Sequence, residues 1–416
     1  MPRPITLFAS LSLIFCLATT SFADDWMQWR GPTNNGIASK DQTPPVTWSE
    51  SENVVWKKEL PGSGHGSPTL FAGRIFLATA SDSAKTQSVM CYTQMDGKKL
   101  WETEVHRGNF APKIYPKNTH ASQTIACDGK AIFVTFDNDG AIFLTKLDLD
   151  GKVLWQKRTG GYDTFYKFGY GASPTIYKST VIVSAESKVG FLVAYDRESG
   201  NEVWRTDRKR SSYSSPIVGM TGGRQQLLIS GGSEIGGFDP DTGKQLWKVP
   251  TIWQVSCGTL VWDDGKVFAS GGFPKAQTYC VKSDGSGQVV WQNKVKCYEQ
   301  SMLVHDGYVY AVSDQGVAYC WAAADGTEMW KGRVENPVSC SLILANGNLY
   351  YASERGTTFV IKASPDRFEA VAKNKLGDST FATPAFCNNR IYTRVAFGSK
   401  GNRREYLYCI GKKVGE

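Results

Sequence analysis

Proton transfer in this chain would have to come from few residues. Its four histidines include His65, within Gly64-His65-Gly66, and His120, ahead of Ala121-Ser122, while Glu299 stands between Tyr298 and Gln300. An imidazole and a carboxylate within hydrogen-bond reach make an acid–base pair, so Glu299 facing His65 or His120 is the pairing the sequence offers. No histidines share His-x-x-x-His spacing and no cysteines share Cys-x-x-Cys spacing, so no metal ligand and no catalytic residue is assigned. Gly62-Ser63-Gly64-His65-Gly66 has the glycines of a phosphate loop, yet no helix is predicted after it and its third glycine is misplaced.

Binding chemistry is better supplied. Residues 106–117 carry Arg107, Lys113, Tyr115 and Lys117, and residues 161–170 carry Tyr166, Lys167 and Tyr170. Both segments are longer than a turn requires, which is a common mark of function. Their mixture of aromatic and basic side chains suits a protein partner, an aromatic-stacked sugar or an anionic ligand.

The elements that must hold these residues are legible from the tryptophans. Trp56, Trp101, Trp155, Trp204, Trp247, Trp291 and Trp330 recur at intervals of 39 to 54 residues. Most close one phrase, written Asp96-Gly97-Lys98-Lys99-Leu100-Trp101 in its first copy and repeated ahead of Trp155, Trp204, Trp247 and Trp330. Such a period belongs to a propeller or solenoid, in which no unit buries its apolar face without its neighbours. Between tryptophans the pattern reads as four short strands. Asp128-Gly129, Asp264-Gly265, Asp306-Gly307 and Asn346-Gly347 mark two-residue hairpin turns between the first two.

Six complete units precede Trp330; a seventh lacks its tryptophan near Ala370 and Val371, and an eighth has only three strands before the chain stops. Residues 53–59 offer the missing strand, and an N-terminal strand completing the last blade closes the ring and hides sheet edges. The expected fold is an all-β, eight-bladed β-propeller of four-stranded antiparallel blades. It forms a single domain over residues 24–416, with an extension at 24–52 and the closing strand at 53–59. The tryptophans are expected to staple neighbouring blades. Aligning the loops that lead into each blade on the first hairpin places His65, His120, Tyr170, Tyr213, Gln254, Glu299, Ser339 and Phe381 in a ring around one mouth of the channel.

The Asp-x-x-(Ser/Thr)-Gly-x-x-x-Trp phrase resembles the tryptophan-docking motif of pyrroloquinoline-quinone-like (PQQ-like) propeller repeats, found in quinoprotein alcohol dehydrogenases and in BamB-type scaffolds. The likeness spans about Trp48 to Ile410. Trp26-Met27-Gln28-Trp29-Arg30-Gly31-Pro32 also resembles the start of exported bacterial PQQ-like propellers. The resemblance implies the fold far more than any chemistry. Quinoprotein dehydrogenases carry an adjacent cysteine pair, a calcium ligand set and extended insertions; this chain has no Cys-Cys dipeptide. No PQQ site is therefore carried over and no cofactor is expected.

Residues 1–23 read as a cleaved signal peptide, with a basic start, an apolar stretch from Ile5 to Ala18 and Ser21-Phe22-Ala23 at the cut. The expected location is the periplasm or cell envelope, with secretion as the alternative. No later apolar run approaches the roughly 20 residues of a membrane helix. The formal charge of +8 is diffuse, which argues against nucleic acid. Nine cysteines remain after cleavage, an odd number, and are expected as small buried hydrophobes. The leading expectation is a non-catalytic exported scaffold binding a protein or envelope component at the channel mouth. A quinoprotein-like oxidoreductase and a glycan-binding module are the alternatives.

Overall fold

In a computed structural model, residues 25–210, 212–263, 265–399 and 402–412 are described. The expected signal peptide lies outside them. The chain forms eight four-stranded antiparallel sheets, each running from an innermost to an outermost strand in sequence order, with one exception. Blade 1 comprises Thr69–Phe71, Arg74–Ser81, Thr86–Thr93 and Lys99–Arg107. Its two middle strands are almost wholly buried, whereas Lys99–Arg107 is mostly exposed or half-buried, as befits the rim. At Asp306-Gly307 and Asn346-Gly347 both turn residues have positive φ, from 46° to 79°, the type I′ geometry these dipeptides favour.

The exception is blade 8. Its inner strands are Ala385–Cys387, Arg390–Phe397 and Arg404–Ile410, and its outermost strand is Val54–Leu60. That strand pairs antiparallel with the last, Lys57 opposite Tyr408 and Leu60 opposite Glu405, so the two ends of the chain close the ring.

Six of the seven tryptophans donate their indole N–H to a backbone carbonyl of the next blade, as Trp101 does to Leu149 at 3.0 Å and Trp204 to Pro240 at 3.1 Å. Trp247 differs, donating to Gln226 Oε1 of its own blade. The glycine of the repeated phrase is the seat of this contact. At Gly97, with φ of +68°, an added Cβ would lie 2.7 Å from the Trp56 ring, and Gly151 bears the same relation to Trp101.

The seventh blade replaces its missing tryptophan from elsewhere. Ala372 holds the corresponding position, opposite Val360 just before the strand's bulge. Trp48 of the N-terminal extension stacks on Tyr350, with ring centroids 6.4 Å apart, and its backbone N–H donates to Asn374 Oδ1. In blade 6 the resident Trp330 faces Tyr310 in a comparable way, at 6.1 Å. Trp48→Ala is therefore expected to cost about 3–5 kcal/mol, the toll of truncating a core aromatic. A urea midpoint unchanged by the substitution would remove Trp48 from the inter-blade core.

The rest of the extension plugs the hairpin end of the channel. Trp26 and Met27 carbonyls accept from Leu70 and Cys127 N–H, and Gln28 Oε1 accepts from Ile176 N–H. Asn34 and Asn35 side chains donate to the Val218 and Trp262 carbonyls, while Ala38 pairs with Leu344. Trp26 packs on Phe386. Buried Arg30 donates to the Leu342, Met302 and Asn35 carbonyls at 2.8–2.9 Å, and burial lowers its pKa to about 9. The segment thus touches all eight blades. This is what the Trp26–Pro32 run does.

Candidate functional site at the channel mouth

Each blade's innermost strand is preceded by a serine or threonine that joins a circumferential belt. Ser67 N–H donates to Thr124 Oγ1, Thr124 N–H to Ser173 Oγ, and Ser173 N–H to Ser215 Oγ. On the far side Thr259 N–H donates to Ser301 Oγ, Ser301 N–H to Ser341 Oγ, and Ser341 N–H to Thr383 Oγ1. Between these arcs Trp29 of the plug donates its indole N–H to Thr259 Oγ1 at 2.8 Å. Because side chains alternate along extended backbone, the residue two before each belt position also faces the channel. Those eight are His65, Ser122, Gly171, Tyr213, Cys257, Glu299, Ser339 and Phe381, and all eight line one cavity of about 480 Å³ floored by Trp29.

Five members of the expected ring are therefore in place: His65, Tyr213, Glu299, Ser339 and Phe381. Three are corrected. His120 is turned aside against Phe110, ring centroids 4.4 Å apart, and Ser122 takes its place. Tyr170 is buried between blades with its hydroxyl donating to the Ser184 carbonyl, and Gly171 takes its place. Gln254 accepts from the Tyr166 hydroxyl at the surface, and Cys257 takes its place. The error has one cause. Ser122, Gly171 and Cys257 are small, and a bulkier neighbour stands in for each in the expected ring, although all three lie six residues before the closing pair of the first hairpin, as His65, Glu299, Ser339 and Phe381 do.

The two long loops interlock over the cavity. Asn118 Nδ2 donates to the Phe168 carbonyl at 2.7 Å, and Tyr115 packs edge-on to Phe168, which leans on Tyr213. Tyr166 stacks on Phe168 and meets Phe273 from blade 5. Of the loop candidates, Tyr115 and Lys117 line the cavity, whereas Arg107, paired with Glu104, and the exposed Lys113 and Lys167 lie outside it. Phe168, Phe273, Lys296, Tyr298 and Asp314 line it too and were not singled out from sequence. Tyr298, beside Glu299, was the one within reach of the ring alignment.

Lys117 reaches across the mouth to Glu299 Oε2 at 2.8 Å and Glu354 Oε1 at 2.5 Å. Ser339 Oγ lies against the same two oxygens, at 2.6 and 2.7 Å. Burial pulls the Lys117 ammonium down, but Glu299 and Glu354 outweigh it and hold its pKa above the ordinary value. His65 stacks on Phe381 at 4.4 Å. Burial, with Arg403, Arg394 and Lys117 nearby, drives its pKa well below the usual imidazole range. The acid–base pair expected of Glu299 with His65 or His120 is thus replaced by an ion pair with Lys117. No disulfide joins the nine cysteines among the described residues, and all but the half-buried Cys257 are buried.

Asp137, at the mouth end of the second strand of blade 2, is buried with no hydrogen-bond partner for Oδ1 among the described residues. Burial pushes its carboxyl up to about 7. Between about pH 4 and that value the folded chain keeps a proton that the unfolded chain has lost. Its contribution to stability is therefore fully present below about pH 4 and is lost as pH rises to 7. Asp137→Asn is expected to flatten that decline and to gain about 1–3 kcal/mol at pH 8. Urea melts at pH 5 and pH 8 check this, and an unchanged slope would place the titration elsewhere.

The belt, the ring and the tryptophan staples define an eight-bladed propeller of the PQQ-like class. The family profile described as outer membrane protein assembly factor BamB matches residues 37–161, 85–332 and 279–364, and the chain belongs to that family. Among curated proteins, the outer membrane protein assembly factor BamB of Burkholderia pseudomallei (strain K96243) is 22% identical over 275 residues, covering 64% of this chain and 66% of that protein. Among solved structures, BamB from Moraxella catarrhalis superposes with a TM-score of 0.61 at 16% identity, over 85% of this chain and 96% of that one. Quinohemoprotein alcohol dehydrogenase from Comamonas testosteroni gives 0.67 at 12% identity, over 95% and 82%.

Proposed function

We propose that the chain is a non-catalytic scaffold of the cell envelope that docks a protein partner on its mouth face. One observation carries the reading. Phe165, Val189, Ile252 and Phe273 are each 44–52% exposed on that face, while the charged groups beneath them are already paired within the chain. Large exposed apolar side chains set around satisfied charges suit an interface, where aromatic anchors dominate binding energy. Membership in a family described as outer membrane protein assembly factor supports an envelope location and a protein partner. No helix among the described residues is long and apolar enough to cross a membrane.

The quinoprotein reading has less support. Glu299 and Glu354 are occupied by the Lys117 ammonium, where a calcium ion would need free carboxylates. No group of three metal-ligating side chains assembles among the described residues. The mouth residues do not fit a calcium–quinone pair.

The test is affinity capture from detergent-solubilised native envelopes with wild type and with Phe165→Ala/Val189→Ala/Ile252→Ala. The triple variant is expected to lose at least about tenfold of the captured partner, roughly 1.4 kcal/mol, while melting as wild type does. Equal loss from Lys130→Ala/Lys266→Ala on the hairpin face would make the binding diffuse and electrostatic instead.

A further inference from the structure

The geometry points to a second binding site, the mouth cavity itself, built for a neutral, ring-sized polyhydroxyl ligand such as a sugar unit. This site lies beneath the docking surface and shares Phe273 with it, whereas Phe165, Val189 and Ile252 do not line it. Its volume, about 480 Å³, falls in the range of small-molecule sites.

Charge decides the ligand class. Lys117 is held by Glu299 and Glu354, Lys296 by Asp314 at 3.2 Å, and Arg403 and Arg394 by Glu405. Four cationic side chains are thus balanced by four carboxylates. An ionic ligand would have to break one of these pairs and leave a half-buried charge without its partner, which is costly. A neutral ligand carrying hydroxyls avoids that. Each hydroxyl donates once and accepts twice, matching carboxylate acceptors and ammonium donors without disturbing either.

The walls complete the match. Tyr115, Phe168 and Tyr213 form a continuous aromatic side, to which Phe273 is joined through Tyr166, and a sugar ring presents a C–H face that packs on such surfaces. Opposite lie Ser339, Glu299 and Lys117, with the hydroxyl belt and Trp29 below. The bond from Asn118 to the Phe168 carbonyl ties the two loops together over the cavity, which admits a compact ring more readily than a threaded chain.

Purified wild-type protein titrated with D-glucose, N-acetylglucosamine and cellobiose, followed by calorimetry and tryptophan fluorescence, tests this without any protein partner. At least one neutral probe is expected to saturate in the millimolar range or below. Glucosamine and glucuronate, its charged counterparts, are expected to bind at least tenfold more weakly than glucose. Gly171 has ordinary backbone and only Ser122 within 4 Å of an added Cβ, so Gly171→Phe fills the cavity without forcing the fold. It is expected to abolish the signal with an unchanged melting temperature. Absence of saturation by every neutral probe up to about 20 mM, charged probes binding as tightly as neutral ones, or retained binding in Gly171→Phe would each overturn the assignment. Capture of an envelope partner by wild type would be unaffected by any of these results.

Discussion

Replacing residues 54–60 by a glycine–serine segment of equal length is expected to unfold the ring at its seam. The substitution removes the ladder to Arg404–Ile410, the inter-blade contact of Trp56 and the buried Leu60. Loss of the docked tryptophan alone is worth about 3–5 kcal/mol. It also bares the edge of a strand carrying buried Leu407, Tyr408, Cys409 and Ile410, a template for pairing with another chain. The expected result is a melting temperature well below wild type and a shift from monomer to larger species on sizing with light scattering. A monomer that melts with wild type would show that blade 8 closes without its borrowed strand.

The second large effect is expected at the hairpin end of the channel. Arg30→Met keeps the length and apolar stem of the side chain but takes its donors away from the Leu342, Met302 and Asn35 carbonyls. Buried polar groups left unpaired cost about 1–3 kcal/mol each, so a total of about 3–5 kcal/mol is expected. Arg30→Lys is expected to recover only part of it, because one ammonium does not reproduce the planar fork. Urea denaturation measures the loss, and limited proteolysis within residues 25–38 reports whether the plug is released. Wild-type stability in Arg30→Met would mean that the plug is held by Trp26 and the asparagines alone.

The propeller was legible because its determinants repeat. A tryptophan, its phrase and an Asp-Gly turn recur in register, so blade number, strand order and closure by residues 53–59 follow from counting. The plug does not repeat. Arg30 finds its carbonyls at Met302 and Leu342, partners about 270 to 310 residues away, and no local pattern encodes that. Trp48 was hidden for the same reason, since it stands in for a blade-7 tryptophan from outside the blade. At the mouth, His65, Glu299 and Phe381 were legible because the residue at the ring position is itself large and polar or aromatic. His120, Tyr170 and Gln254 were misplaced because the true ring residues, Ser122, Gly171 and Cys257, are small and a bulkier neighbour stood near each. The Lys117 bridge to Glu299 and Glu354 joins three separate loops across the channel, and only the closed ring brings them together.

Site-specific photo-crosslinking in native envelopes tests the central claim most directly. A benzophenone side chain at position 165, on the mouth face, is expected to give one discrete protein adduct that the same group at position 266, in a first hairpin of the opposite face, does not give. Adducts confined to position 266, or identical adducts from both, would contradict docking at the mouth.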